Sequence, residues 1–138
     1  MISKNINNYE FSNYSEKVRL LLSYKDVSWK SVNIPSYGVK PDYTRLTGGY
    51  RRAPALQIGA DVYCDTRLIA AVLEDLFPSR TIYPGESMEQ VKAQCEAIIY
   101  WAENSLMRPL ALYVTGLHAD EFPMAFHIDR AKLHGKPP

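Results

Sequence analysis

Charge of one sign is what this sequence most plainly lacks. Its 16 basic and 15 acidic side chains leave a formal charge of +1, with no basic run. That balance provides no electrostatic footprint for nucleic acid or for an anionic membrane surface, so neither partner is expected. Also missing is any run of about 18 consecutive apolar residues, the length a helix needs to cross a bilayer. The opening "MISKNINNYE" is polar and has no apolar h-region, so no secretory leader is expected. Cysteine is scarce: Cys64 and Cys95 stand far apart inside expected elements, with no CxxC and no metal-spaced Cys/His cluster. They read as reduced, buried thiols of a cytoplasmic protein rather than as a disulfide, and no metal is expected.

What is present is enough to fold. Of 138 residues, 46% are apolar and 22% charged, which places the chain outside the disordered class. One compact domain with an appendage is the expectation. From Ser15, the apolar positions Val18, Leu21 and Leu22 recur at helical spacing and predict a helix to about Lys25. "VSWKSVNI" alternates imperfectly and reads as a strand. Pro41 and Asp42 open a short helix that Gly48 and Gly49 stop. Before the first helix, "ISKNINNYEF" has to supply a central strand, although its Asn and Lys content makes it a poor one.

The densest information lies in "RRAPALQIGADVYCDTRLIAAVLEDLF", Arg51 to Phe77. Two short runs joined at Gly59-Ala60-Asp61 predict an antiparallel hairpin, the first strand opened by Pro54. Asp65 or Thr66 then caps a helix with Leu68, Ile69, Val72, Leu73 and Leu76 on one apolar face, ended by Pro78. Beyond the linker-like "PSRTIYPGES", Met88, Val91, Cys95, Ile98, Ile99 and Ala102 mark a long helix that Pro109 is expected to kink or end. A last helix starts near Asp120 and Pro123 and stops at Gly135, and the tail "GKPP" carries no pattern. An alternating portion followed by helices only implies a small α/β layer with a helical addition.

The βαβαββα order, the "SNYSEKVRLLL" opening of the first helix, the Pro54 strand start and the "DT" before the third helix together resemble the N-terminal, thioredoxin-like domain of the cytosolic glutathione S-transferases. The resemblance runs from Tyr9 to about Phe77. It implies an α/β fold: a thioredoxin-like βαβαββα domain over residues 1–80, then a partial all-α segment over 81–138, a truncated form of the family's second domain. It further implies a cytoplasmic homodimer that takes glutathione as cosubstrate and a small hydrophobic electrophile as partner, for conjugation or isomerisation. The competing expectation is a non-catalytic binding or regulatory module, or a truncated remnant, that keeps the transferase fold.

Carried over residue by residue, the resemblance implies a cis bond before Pro54, with the Ala53 main chain pairing with the cysteinyl part of glutathione. An X-Pro bond tolerates cis cheaply, and an open strand edge docks an extended peptide. Without the flanking motif, a trans proline at a strand start is the commoner case. Asp65 and Thr66 stand where the family holds the γ-glutamyl end, since a helix N-terminus suits a carboxylate; a plain N-cap is the compatible alternative. Ser12 resembles the activating serine of the theta- and zeta-like classes, with Ser15 as fallback and Tyr9 as the tyrosine-class alternative. A cap of the first helix is an equal reading for either serine. Serines at both ends of "SNYS" disfavour disulfide exchange.

Arg52 and Lys40 are candidates for the glycine carboxylate of glutathione, against the commoner role of solvated surface cations. His118, His127 and His134 read as surface or loop histidines. Trp29, Trp101 and the ten tyrosines do not fall on one face, so core and interface use is expected.

Overall fold

The Asn-rich segment, a weak strand by propensity, forms the inner strand β1, Lys4–Asn8. The computed structural model describes residues 2–135. β1 runs parallel to β2 (Lys30–Asn33) and antiparallel to β3 (Ala55–Ile58), and β4 (Asp61–Cys64) follows β3, giving the sheet order β2-β1-β3-β4. Tertiary context overrides propensity here. Ile6 is fully buried, while Asn8 Nδ2 donates to Ile6 O at 3.0 Å and to Ser31 Oγ at 2.9 Å, so the amide stitches β1 to β2. Neighbouring Asn5 does the same toward β3, donating to Gln57 Oε1 at 3.4 Å.

Helix α1 (Asn13–Tyr24) makes the crossover that a parallel β1–β2 pair requires, and it buries Ser15, Val18 and Leu22 on one stripe. Helix α3 (Thr66–Leu76) buries Ile69 and Leu73. With Ile6, Val27 and Leu56 these residues form the main core between sheet and helices. Alternation along β3 sends Ala55 to the opposite face, where it meets Ile34 and Tyr43 of helix α2 (Pro41–Leu46). The hairpin turns at Gly59, whose φ of 62° favours glycine and where a Cβ would lie 3.4 Å from Ile2 Cγ2. The result is the α/β, thioredoxin-like βαβαββα arrangement, followed by a helical segment.

A buried ion pair fixes the end of this unit. Lys25 Nζ, just past α1, lies 2.6 Å from Glu74 Oε2 of α3 and donates to the carbonyls of Phe77 and Arg80, both at 2.9 Å. Thr81 donates its hydroxyl to the same carboxylate. Every donor of the buried ammonium thus has an acceptor, the condition under which a desolvated charge is tolerated.

The chain divides after Thr81, and a second unit begins at Ile82. It contains α4 (Met88–Trp101), a π-helical stretch (Ala102–Met107), α5 (Arg108–Leu117) and α6 (Met124–Leu133). Pro109 does not end the helical run. The helical backbone runs on through it, and the wider π turn lies just before Pro109, in the stretch whose carbonyls face the missing N–H and the ring. Phe126 is the one buried residue among those described in this unit, stacked on Phe122 at 4.4 Å with Arg130 over its ring.

Several expected boundaries move. The first helix begins at Asn13, ahead of Ser15, because Ser12 caps it. The second strand shrinks to four residues: Val27 is buried in the core and bonds back to Leu22 O as part of the turn after α1. Both cysteines are free and half-buried rather than buried. His127 is a half-buried helical residue bound to Ala119 O at 3.0 Å, whereas His118 is exposed and sits 2.7 Å from Glu121. The expectation for Lys136, Pro137 and Pro138 lies outside the described residues.

Candidate functional site

Ser12 sits where β1 feeds into α1. Its φ and ψ are extended, and its Oγ accepts from Ser15 N–H at 3.2 Å, the geometry of an N-cap. The hydroxyl is buried and, while accepting that bond, keeps its proton available for donation. Ser15 is fully buried on the stripe shared with Val18 and Leu22, and its Oγ has no partner among the described residues. Tyr9 follows β1 directly; its ring lies 5.0 Å from that of Phe11 and 5.8 Å from the ammonium of Lys40, which is itself largely buried.

Ala53 lies at the head of β3. The Ala53–Pro54 bond is cis and Pro54 is fully buried. Among the described residues the Ala53 main chain has no backbone partner, because the register with β1 ends at the Asn7–Ala55 pair. The preceding carbonyl is held firmly: Tyr43 donates its hydroxyl to Arg52 O at 2.5 Å. Thr47 Oγ1 lies 2.8 Å from both Tyr43 O and Tyr50 O, so α2 and the loop after it are joined twice. The Arg52 side chain is exposed.

On the other flank, Asp65 has φ 77° and ψ 130°, a conformation that a non-glycine residue adopts only under local constraint. Its carboxylate accepts from Arg67 N–H at 2.7 Å and its carbonyl from Ile69 N–H at 3.0 Å, so Asp65 is the N-cap of α3. Thr66 is buried and accepts from Lys17 Nζ at 3.1 Å, which brings the first turns of α1 and α3 together.

Three groups here titrate away from their ordinary values. Burial pushes the Tyr43 phenol well up, and the nearby Cys64, Tyr50 and Tyr9 push the same way. Tyr50 is raised by burial and then by the Asp65 carboxylate and Cys64, against Arg52 and the Asp65 backbone N–H. Burial alone raises the Cys64 thiol. These mutual influences bring Tyr9, Tyr43, Tyr50, Arg52, Cys64 and Asp65 into one constellation. A separate groove of about 500 Å³, lined by Asn8, Glu10, Glu16, Arg19, Ser31 and Asn33, contains none of the candidate residues. Its Arg19 is already held by Glu16, Asn8 and Glu10 O.

Lys17, Tyr43 and Tyr50 were not marked by sequence patterns. Each sits in an ordinary helical or loop context, and only the tertiary approach of α1 to α3, or of α2 to the head of β3, gives it a partner. A long cation one turn past the "SNYS" serines was the nearest thing to a signal.

With this geometry in place, comparison with known proteins is informative. Residues 7–81 match the family model of the glutathione S-transferase N-terminal domain. A glutathione S-transferase-like protein from Pseudomonas syringae is 41% identical over 85% of this chain and 42% of its own, with a TM-score of 0.69. A Tau class glutathione S-transferase from mango (Mangifera indica) shares the fold at 13% identity over 75% of this chain and 46% of its own, TM-score 0.67. A rice glutathione S-transferase, solved in complex with glutathione, does so at 19% identity over 73% of this chain and 46% of its own, TM-score 0.61. No curated protein matches the chain. The fold and the matched domain define a thioredoxin-like member of the transferase superfamily. The chain belongs to the glutathione S-transferase family, and it spans less than half the length of these solved relatives.

Among the described residues no group of three or more His, Cys, Asp or Glu is placed to hold a metal, and no helix is long and apolar enough to cross a membrane.

Proposed function

We propose that this chain binds glutathione across the head of β3 and activates its thiol for attack on a small hydrophobic electrophile. The observation that carries the reading is the Ala53 main chain, without a backbone partner among the described residues, held before a cis bond to buried Pro54. An extended tripeptide docks on such an edge by backbone pairing. The cysteinyl unit pairs with Ala53, next to Pro54. The γ-glutamyl carboxylate faces Thr66 and the N-terminus of α3, where unpaired amides and the helix dipole favour negative charge. The Asp65 carboxylate faces the γ-glutamyl ammonium. Lys40 and Arg52 are the cations for the glycine carboxylate.

Ser12 is the thiol activator, ahead of Ser15 and Tyr9: its hydroxyl keeps a proton to donate at the start of α1, whereas Ser15 is fully buried on the core stripe with Val18 and Leu22. A donor beside sulfur and a helix N-terminus both stabilise thiolate, raising the nucleophilic fraction of a thiol that titrates at about 8.5 when free. The thiol proton leaves to solvent. In conjugation the sulfur lone pair then forms an S–C bond as the leaving group departs with its electron pair. Residues 1–80 form the glutathione-binding domain, and 81–138 correspond to part of the family's helical second domain. The chain works as a cytoplasmic homodimer.

Isothermal titration with glutathione, followed by conjugation of a generic aryl halide, tests this. Saturable binding with turnover is expected, with turnover lost in Ser12→Ala. No heat and no thermal shift at millimolar glutathione would remove the reading. Binding without turnover would leave a non-catalytic glutathione module.

A further inference from the structure

Tyr43 lies in the cluster against which Ala53 packs, and its hydroxyl makes a short bond, 2.5 Å, to Arg52 O. That carbonyl and the Ala53 N–H belong to one peptide group. The Arg52–Ala53 peptide is planar and trans, so its C=O and N–H point in opposite directions. Tyr43 is 3% exposed and sits in the cluster of Ile34 and Ala55 on the α2 face of the sheet. Drawing the Arg52 carbonyl toward that cluster turns the Ala53 N–H away from it. We infer that Tyr43, seconded by Thr47, is a positioning residue that sets the orientation of the Ala53 N–H and thereby the affinity for the cysteinyl unit of glutathione.

Buried Pro54 and the packed Ala53 anchor this plane on one side, and on the Arg52 side the Tyr43 bond is the anchor described. The Arg52 side chain is exposed, and the Gly48-Gly49 pair upstream, with φ 64° and 102°, gives the loop freedom rather than stiffness. Thr47 Oγ1, 2.8 Å from Tyr50 O, holds the loop from its other end. Burial keeps the Tyr43 phenol protonated through the neutral range, so it remains a donor there. The inference rests on the glutathione reading above for its functional half and on the peptide geometry alone for its structural half.

The test uses the full chain, 15N-labelled, as wild type, Tyr43→Phe and Thr47→Val. In the free protein, Tyr43→Phe is expected to shift and broaden the Ala53 amide resonance, while amides of α3 stay in place. An unchanged Ala53 amide would overturn the inference whatever glutathione does. On titration with glutathione, the wild type should show shifts at both Ala53 and Thr66. In Tyr43→Phe the Thr66 shift should persist and the Ala53 shift shrink, with the dissociation constant rising about tenfold, the size expected for one well-placed hydrogen bond. Equal affinity in both proteins would sink the functional half. If the wild type shows no glutathione shifts, the binding reading fails, and with it this functional half, while the free-protein comparison still decides the geometry. Should Tyr43→Phe fail to fold, Thr47→Val must show the same changes at Ala53 in weaker form, and its silence would overturn the inference.

Discussion

The ammonium of Lys17 lies 3.1 Å from the hydroxyl of Thr66, joining the first turns of α1 and α3. The N-terminus of α3 and a lysine thereby meet at one polar spot, which suits a carboxylate. Lys17→Met should raise the dissociation constant for glutathione roughly five- to tenfold, the size of a charge-assisted contact. The melting temperature should move little, because a half-exposed bond of this kind contributes about 1 kcal/mol or less. Calorimetric titration at two salt concentrations decides it: affinity independent of both Lys17 and salt would reduce the contact to a helix–helix link.

Ser12 caps α1 and, in the proposed function, activates the thiol; one substitution separates the two by size and by observable. As the cap of α1, its loss in Ser12→Ala should cost about 1 kcal/mol of stability, read from denaturant unfolding. As thiol activator, its loss should return the bound glutathione thiol toward its free value near 8.5, read from thiolate absorbance against pH. A stability loss with an unchanged thiol titration would leave Ser12 a cap and nothing more.

The order of elements was legible because its signals are local. Pro41, the Gly59 turn and the Asp65-Thr66 cap each state their conformation in two or three residues. β1 was legible only as a requirement of the fold: its Asn side chains are satisfied by Ile6 O, Ser31 and Gln57, partners whose approach no short-range pattern encodes. The same limit applied at the site. Ser12, Ala53 and Thr66 follow from motif positions, whereas Lys17 and Tyr43 matter through residues 49 and nine positions away along the chain. The π turn before Pro109 escaped notice because one extra residue in a helical turn leaves hydrophobic spacing almost unchanged.

Tyr43 also gives the protein a pH dependence of known sign. Burial, with Cys64 next, holds its folded-state phenol above the ordinary value of about 10. The neutral form is therefore favoured by folding. This contribution is fully present below pH ~10 and is lost as pH rises above that value, where the unfolded chain ionises first. Unfolding free energies measured between pH 8 and 11 should fall at the alkaline end in wild type, and the fall should be smaller in Tyr43→Phe. Parallel curves would show that other groups carry the alkaline loss.

The Lys25–Glu74 pair should be the costliest charge to break. Its side chains are 0% and 10% exposed, so Lys25→Met strands a carboxylate away from water, with a penalty of about 3–5 kcal/mol. Glu74 would keep the Thr81 hydroxyl. Replacing both residues, Lys25→Met with Glu74→Leu, should recover most of the loss, because an apolar pair has no stranded charge. Chemical denaturation of the two single variants and the double variant measures this, and additive losses would contradict the account.

The second unit presents a different problem, which bears on assembly. Ile98, Tyr100, Trp101, Leu106, Leu110, Leu112, Tyr113, Val114 and Leu117 are all exposed. Leu110, Tyr113, Val114 and Leu117 recur at i, i+3, i+4 and i+7, which puts them on one face of α5. An apolar helix face of this kind needs a second surface to cover it. Each large side chain taken out of water contributes about 1.5–3 kcal/mol, so a few of them offset the cost of association. The chain should therefore be a homodimer at micromolar concentration, with the helices after Gly85 in the contact. Size exclusion with light scattering reads the mass directly. Trp101→Glu with Leu110→Glu should shift the dimer toward monomer while leaving the circular dichroism of the α/β unit intact, and a wild-type protein that is already a clean monomer would refute the assignment.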